Sequence, residues 1–198
     1  MLRLAPLTLA NFADFETLTA CGDDGRICYC SFWHMKMDSV AQYDALKKED
    51  ALALREIVHT KVRSGFQVGV LAYDDDQLAA WISVALLPET YWCWKRVASL
   101  GQEAAATTAG ITCFTIAPSA RGKGLQRPLA EALRDYGRAQ RWTAIEAYPF
   151  DDAAVAIAPG LAWPGYERPF VEAGYSRVAP HWLSKAGAER WINRVELR

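Results

Sequence analysis

The sequence is short of most features that would set it apart from an ordinary globular protein. It has no stretch near the roughly 20 consecutive apolar residues that a membrane-crossing helix needs. The longest apolar run, residues 78–87, has the length of a strand, so no membrane partner is expected. Long runs of like charge are missing too: 22 Lys and Arg stand against 23 Asp and Glu, for a net charge of −1. No basic run marks the face on which nucleic-acid affinity depends, and although a local basic patch stays open, no nucleic-acid partner is expected. Cysteine is scarce and odd in number: Cys21, Cys28, Cys30, Cys93 and Cys113. This favours reduced thiols over a disulfide framework. Residues 1–9 lack the apolar region and cleavage site of a signal peptide, so a cytoplasmic location is expected. Internal repeats, low-complexity tracts and a clear domain boundary are all lacking.

What is plentiful is apolar surface. Half of the 198 residues are hydrophobic, eight of them Trp, enough for the core of one domain. Residues 2–7 suit a first strand, and residues 8–19 an amphipathic helix with Leu9, Phe12, Phe15 and Leu18 on one stripe. Residues 21–26 form a turn-rich break, and the aromatic run 27–34 suits a strand or strand-like arm. Asp38 or Ser39 caps a following helix, and residues 50–63 form the main helical segment before Gly65 stops it. Residues 66–73 and 78–87 make a hairpin around a four-residue turn. A short helix is expected over 89–100, a loop over 101–110, and a strand over 111–117 that Pro118 ends. A strand over 143–148, an irregular stretch over 151–169, a short helix over 169–174 and strands at 175–178, 182–184 and 192–197 complete an α/β chain with a meandering sheet.

The most informative stretch is 111–136, an apolar strand, a glycine-rich turn and a helix. The glycines of Arg121-Gly122-Lys123-Gly124 allow a sharp turn that exposes backbone N–H groups. These lie at a helix start, where unpaired donors and the dipole favour an anion such as a phosphate. Pro128 fits only in the first turn of that helix, which places its start near Gln126.

These residues resemble the acyl-CoA signature of the GNAT N-acetyltransferase superfamily, Arg/Gln-x-x-Gly-x-Gly/Ala between a strand and a helix. The strand over 142–148 and the segment FVEAGYSRV at 170–178 stand in the order the superfamily shows, so the likeness spans about residues 66–178. A narrower likeness, to a bacterial subgroup with an N-terminal Cys-x-Cys-x-aromatic-Trp segment, rests on CYCSFWH at 28–34, PETY at 88–91, CFTIAPSARGKG at 113–124 and IEAYPF at 145–150. The resemblance implies a single GNAT-like domain over 1–198, with acceptor-side elements in 1–65 and a cofactor core in 66–178. Its sheet would be mixed, mostly antiparallel, splayed at the acyl-CoA site and flanked by helices. It implies acetyl-CoA as acyl donor, an amine of a small molecule or protein as acceptor, and no metal; a homodimer is compatible with it. Arg121, Gly122, Lys123, Gly124, Leu125 and Gln126 would line the pyrophosphate, and the main chain of Phe114, Thr115 and Ile116 would pair with the pantetheine arm. Two positions depart from the pattern. Gln126 stands where a small residue is usual, so its side chain must point away from the phosphate. Phe170 stands where many members have a Tyr that protonates the leaving thiolate.

Acyl transfer needs a route for the amine proton, a donor for the oxyanion and a departing thiolate. Glu146 and Tyr148 share one face of their strand, as base and acid toward an acceptor, or as an arginine's partner and a packing ring. Tyr166, four residues before Phe170, either supplies the missing hydroxyl or packs in its loop. Cys28, Cys30 and His34 have the residue types of a zinc site, but adjacent-but-one cysteines on a strand point apart. Pocket lining by Tyr29, Phe32 and Trp33, or buried thiols, are the other readings. His34 is a candidate proton relay. A non-catalytic acyl-CoA binding or sensing module is the alternative to an enzyme.

Overall fold

The computed structural model describes residues 2–20, 28–36, 40–157 and 159–197. Its centre is one seven-stranded sheet. The strands are β1 (Leu2–Pro6), β2 (Val70–Asp74), β3 (Gln77–Leu86), β4 (Thr108–Ile116), β5 (Ala144–Ala147), β6 (Ser176–Pro180) and β7 (Trp191–Glu196), in the order β1-β2-β3-β4-β5-β7-β6. Every neighbouring pair is antiparallel except β4 with β5. The helices are α1 (Phe12–Thr19), α2 (Val40–Glu49), α3 (Ala51–Arg63), α4 (Trp94–Leu100), α5 (Gln102–Ala105), α6 (Gln126–Ala139), α7 (Asp152–Ile157) and α8 (Glu167–Glu172). Among the described residues, no helix is long and apolar enough to cross a membrane.

Alternation within the strands assigns the two layers. Val70, Ala72, Ala80 and Ile82 face one side, where Leu129 and Leu133 of α6 meet Ile111, Ile145 and Val195. Leu71, Ala79 and Trp81 face the other, against Phe15 of α1 and Leu54 and Val58 of α3. Each fully buried Leu or Ile contributes about 1.5–3 kcal/mol, so α6 is fixed by its apolar stripe rather than by its ends. The Asp50 side chain caps α3 by accepting from Ala53 N–H at 3.0 Å, and Gly65, at φ +81°, stops it.

Several expectations are corrected. The β2–β3 turn has two residues rather than four: Asp75 and Asp76 take φ of 45° and 62°, the left-handed pair that lets a two-residue turn follow the strand twist. Residues 28–34 are not extended; Tyr29 and Cys30 turn the chain at φ 49° each and Ser31–His34 form a 3-10 turn. The span 89–100 begins with 3-10 turns, and the expected loop 101–110 contains α5 and the start of β4. The expected irregular stretch 151–169 contains α7, a 3-10 turn and the start of α8. Trp182–Ser184 is a turn, not a strand. The break over 21–26 and the Asp38 or Ser39 cap lie outside the described residues.

The sheet opens between β4 and β5, and the cause is local. Ser83 pairs with Cys113 and Val84 with Ile111, so Thr112 is a bulge residue; its hydroxyl donates to Ser83 Oγ at 2.9 Å. A bulge bends its strand. The last β4–β5 pair is Ile111 with Ala147, immediately before the bend, and beyond it the two strands part.

Candidate active site

At the mouth of this wedge lies the glycine turn. Gly122 and Gly124 have φ of +74° and +68°, and a Cβ at either would meet nothing within 4 Å. Left-handed backbone, not space, is therefore what requires glycine. Leu125 caps α6 and Gln126 is its first residue, so the expected start holds. Pro128 falls third in the helix, where no N–H is needed. Arg121 Nε donates to Ile116 O at 3.1 Å and ties the turn to the end of β4. Lys123 is exposed. The turn and the head of a 14-residue helix thus present backbone donors to an anion. Gln126 points away from the turn, as expected: its amide accepts from Tyr166 N–H at 2.9 Å and donates to Tyr166 O at 2.7 Å.

The wedge itself is bridged. Phe114 N–H, on the splayed edge of β4, donates to Trp163 O at 2.8 Å, and Phe150, just beyond β5, forms ladder contacts with Tyr166 on one side and Arg190 on the other. Residues 163–166 therefore lie between the two edges like a short extra strand, held at the far end by Gln126. Of the expected pantetheine partners, Phe114, Thr115 and Ile116 all lie on β4, but the Phe114 donor is already occupied.

Glu146 and Tyr148 share a face, yet that face is closed. Glu146 is 0 % exposed. It accepts from Arg96 Nε at 3.0 Å and Nη2 at 2.6 Å, from Arg194 Nη1 at 3.0 Å and from Tyr148 Oη at 3.2 Å. Tyr148 is equally buried, its hydroxyl 2.9 Å from the place a Cβ of Gly110 would take. Burial pushes its pKa up. The carboxylate oxygens already accept from two arginines and Tyr148, one arginine reaching in from α4, so this geometry leaves Glu146 closed off. Here Glu146 is the partner of two arginines and Tyr148 a packed ring. Tyr166 lies apart from them at 48 % exposure. Phe170 is buried against the rings of Phe114 and Tyr175.

A second polar cluster joins α3 to the 3-10 turns Ser31–His34 and Leu87–Glu89. Lys61 Nζ donates to Glu89 O at 2.7 Å. Glu89 Oε2 is buried without a hydrogen-bond partner, and the buried imidazole of His34 lies against the Glu89 backbone. Burial raises the Glu89 pKa against the opposing pull of Lys61. Burial, then Lys61, lowers that of His34 to about 3, so this imidazole is neutral at pH 7. Cys28 and Cys30 are free thiols; Trp81 Nε1 donates to Cys30 Sγ at 3.3 Å. Among the described residues, no group of three or more His, Cys, Asp or Glu could hold a metal ion. Sequence reasoning passed over Glu89, Trp163 and Arg190. Only Glu89, within PETY, carried a signal, as a lone carboxylate at a strand end.

The model of the acetyltransferase (GNAT) family matches residues 30–158. No curated protein matches the chain. Among solved structures, the spermidine N-acetyltransferase from Vibrio cholerae in complex with CoA and spermine is 13 % identical, covers 99 % of this chain and 95 % of its own, and has a TM-score of 0.56. A Desulfovibrio desulfuricans protein assigned to the GNAT family is 16 % identical, with 100 % of both chains covered and a TM-score of 0.56. A protein assigned as a phosphinothricin N-acetyltransferase is 16 % identical, covers 100 % and 99 %, and has a TM-score of 0.54. At such identities the likeness is one of fold.

Proposed function

This chain belongs to the acetyltransferase (GNAT) family, and on that premise we propose that it transfers an acetyl group from acetyl-CoA to an amine of a small molecule or protein by direct attack in a ternary complex. The observation that carries this reading is the glycine turn at the head of α6 facing the β4–β5 wedge. Backbone N–H groups of residues 122–126 suit the pyrophosphate, and the splayed edge of β4 suits the pantetheine amides once Trp163 O releases Phe114 N–H. We place the chain in the bacterial subgroup with the Cys-x-Cys-x-aromatic-Trp segment.

In the reaction, the amine nitrogen attacks the thioester carbonyl, the C–S bond breaks, and CoA leaves as thiolate. The amine proton needs an acceptor. Glu89 suits this role better than Glu146, because it keeps an unpartnered oxygen and because burial raises its basicity above that of an ordinary carboxylate. His34, held near 3, is too weak a base and is assigned to positioning beside Lys61. Phe170 has no proton to give. The thiolate leaves without one, or takes it from solvent or from the exposed Tyr166. The spermidine acceptor of the Vibrio cholerae enzyme is not carried over at 13 % identity.

Thiol release from acetyl-CoA, followed over a panel of amino acids, amines and peptides, tests the reading. Turnover that falls at least tenfold in Glu89→Gln, with acetyl-CoA affinity unchanged by calorimetry, is the expected result. A second reading, an acyl-CoA binding or sensing module, is favoured by the bridged wedge. It predicts tight acetyl-CoA binding with no turnover across the panel.

A further inference from the structure

Arg190 is a buried charge without a counter-charge. It is 1 % exposed, and among the described residues no carboxylate pairs with it; the groups that act on it electrostatically are Tyr148, Cys93 and Cys113. Its Nε donates to Tyr148 O at 2.7 Å, but Nη2 is buried with no partner at all. Three rings surround Cζ: Trp163 at 4.7 Å, Phe150 at 5.1 Å and Trp33 at 5.3 Å from their centroids. Ring faces attract the charge, but they supply no lone pair to the N–H groups of Nη2. Losing the proton is no remedy. Burial lowers the pKa only to about 9, so the group is a cation at pH 7. A buried guanidinium with open donors is costly unless something fills them.

Its position says what could do so. Trp191 N–H donates to Pro149 O and Asp151 N–H to Glu189 O, which lays the Arg190 segment along the continuation of β5. Tyr148, which accepts from Nε, is the first residue after β5. Trp163, which covers Cζ, holds the Phe114 N–H of β4 through its carbonyl. The guanidinium thus lies between the two diverging edges, which on the acyltransferase reading is the reacting end of the wedge. Trp163 is 36 % exposed and is the shared cover. A displacement of Trp163 that freed Phe114 N–H would therefore also uncover the guanidinium.

We infer that Arg190 is the carboxylate-binding residue of the reacting end of this cleft, taking a carboxylate carried by a substrate. The planar fork of a guanidinium matches the two oxygens of a carboxylate, and the aromatic walls suit an apolar body behind that group. The inference rests on the acyltransferase reading and narrows it: the acceptor is an amino acid or related amino carboxylate, not a polycation, which a buried positive charge at this point would repel. A carboxylate at the far end of the acyl chain would use the same fork.

The test uses the full chain with Arg190→Gln and Arg190→Lys, each first checked for a native near-ultraviolet spectrum. Acceptor probes are the common L-amino acids, each beside its carboxamide, and spermidine. Donor probes are acetyl-CoA, and succinyl-CoA beside butyryl-CoA. The acceptor source predicts a preference of about 10–100-fold in kcat/KM for acid over carboxamide, the worth of one charge-assisted hydrogen bond. That preference collapses in Arg190→Gln and is partly kept in Arg190→Lys. The donor source predicts the same pattern for succinyl-CoA over butyryl-CoA. Should no acceptor turn over, calorimetric binding of N-acetyl-amino acids against their amides, with CoA present, gives the same comparison without chemistry. Equal use of acid and amide in both arms, or a preference that Arg190→Gln leaves intact, overturns the assignment. Wild-type affinity for CoA is measured separately. Its absence sinks the acyltransferase reading, while the carboxylate comparison still decides the subsite.

Discussion

Replacing Glu146 by glutamine separates a carboxylate that holds the fold from one that does chemistry. In the wild type this side chain receives Arg96 through two nitrogens and Arg194 through one, and the two arginine side chains are themselves only 11 % and 16 % exposed. Glutamine keeps the shape but removes the charge and turns an NH2 group toward guanidinium donors. Breaking a buried ion pair by removing one partner costs about 3–5 kcal/mol. The loss lies at the lower end, near 3 kcal/mol on that scale, because Arg194 retains Glu196 at 2.6 Å and Arg96 retains Ser99 at 3.3 Å. In a chain of this length 1 kcal/mol moves Tm by about 2–4 °C, so a fall of about 6–12 °C is expected. Thermal unfolding by circular dichroism gives the shift, and turnover is measured well below the lowered Tm. There, acetyl-CoA affinity and kcat should lie within a few-fold of wild type. If instead the variant melts within about 2 °C of wild type while kcat falls a hundredfold at unchanged cofactor affinity, the reasoning fails and Glu146 is the base.

Gln126→Ala removes both bonds to the Tyr166 backbone but keeps its own N–H at the head of α6. Residues 163–166 then loosen, and apparent acetyl-CoA affinity rises about 3–10-fold, since two partly exposed hydrogen bonds no longer hold the wedge closed; calorimetry that shows weaker binding would contradict the bridged-wedge account. Phe170→Tyr places a hydroxyl in a site with no exposure, so it lowers stability by about 1–3 kcal/mol in urea unfolding and does not raise kcat; a faster enzyme would show that the hydroxyl reaches the thiolate. Burial holds His34 near 3 and, with Arg190, holds His181 near 2, both below their unfolded value, so the unfolded chain binds more protons and stability is full above about pH 6.5 and lost as pH falls toward 3. From pH 8 to pH 5 the loss is about 2 kcal/mol per histidine, read from urea midpoints; equal midpoints at both values would refute it.

The strand, glycine turn and helix over 111–136 were legible because every signal there is local. Positive φ is a property of Gly122 and Gly124 themselves, Pro128 fixes a start, and the stripe through Leu129 and Leu133 is read from spacing alone. Period-two alternation likewise put Glu146 and Tyr148 on one face. What closes that face is Arg96, 50 residues before Glu146, and Arg194, 48 residues after it, and no local pattern holds that information. Composition misled over 151–169, where Pro and Gly suggest loop. The carboxylates decide otherwise: Asp151 accepts from Ala153 N–H at the start of α7, and Asp152 accepts from Glu167 and Arg168 N–H at the start of α8. In residues 28–34 the aromatic run resembles a strand, but the rings are buried by distant partners, Trp33 by Trp163 at 6.0 Å and Phe32 by Trp92 at 5.0 Å, which no extended pairing supplies. Arg190 was silent for the same reason: nothing in its neighbours along the chain says that three rings and no carboxylate will surround it. The division follows from the chemistry. Phosphates are bound by backbone N–H groups that a glycine turn can offer by itself, whereas the Arg190 cluster brings together rings from positions 33, 150 and 163, and convergence is a property of the fold.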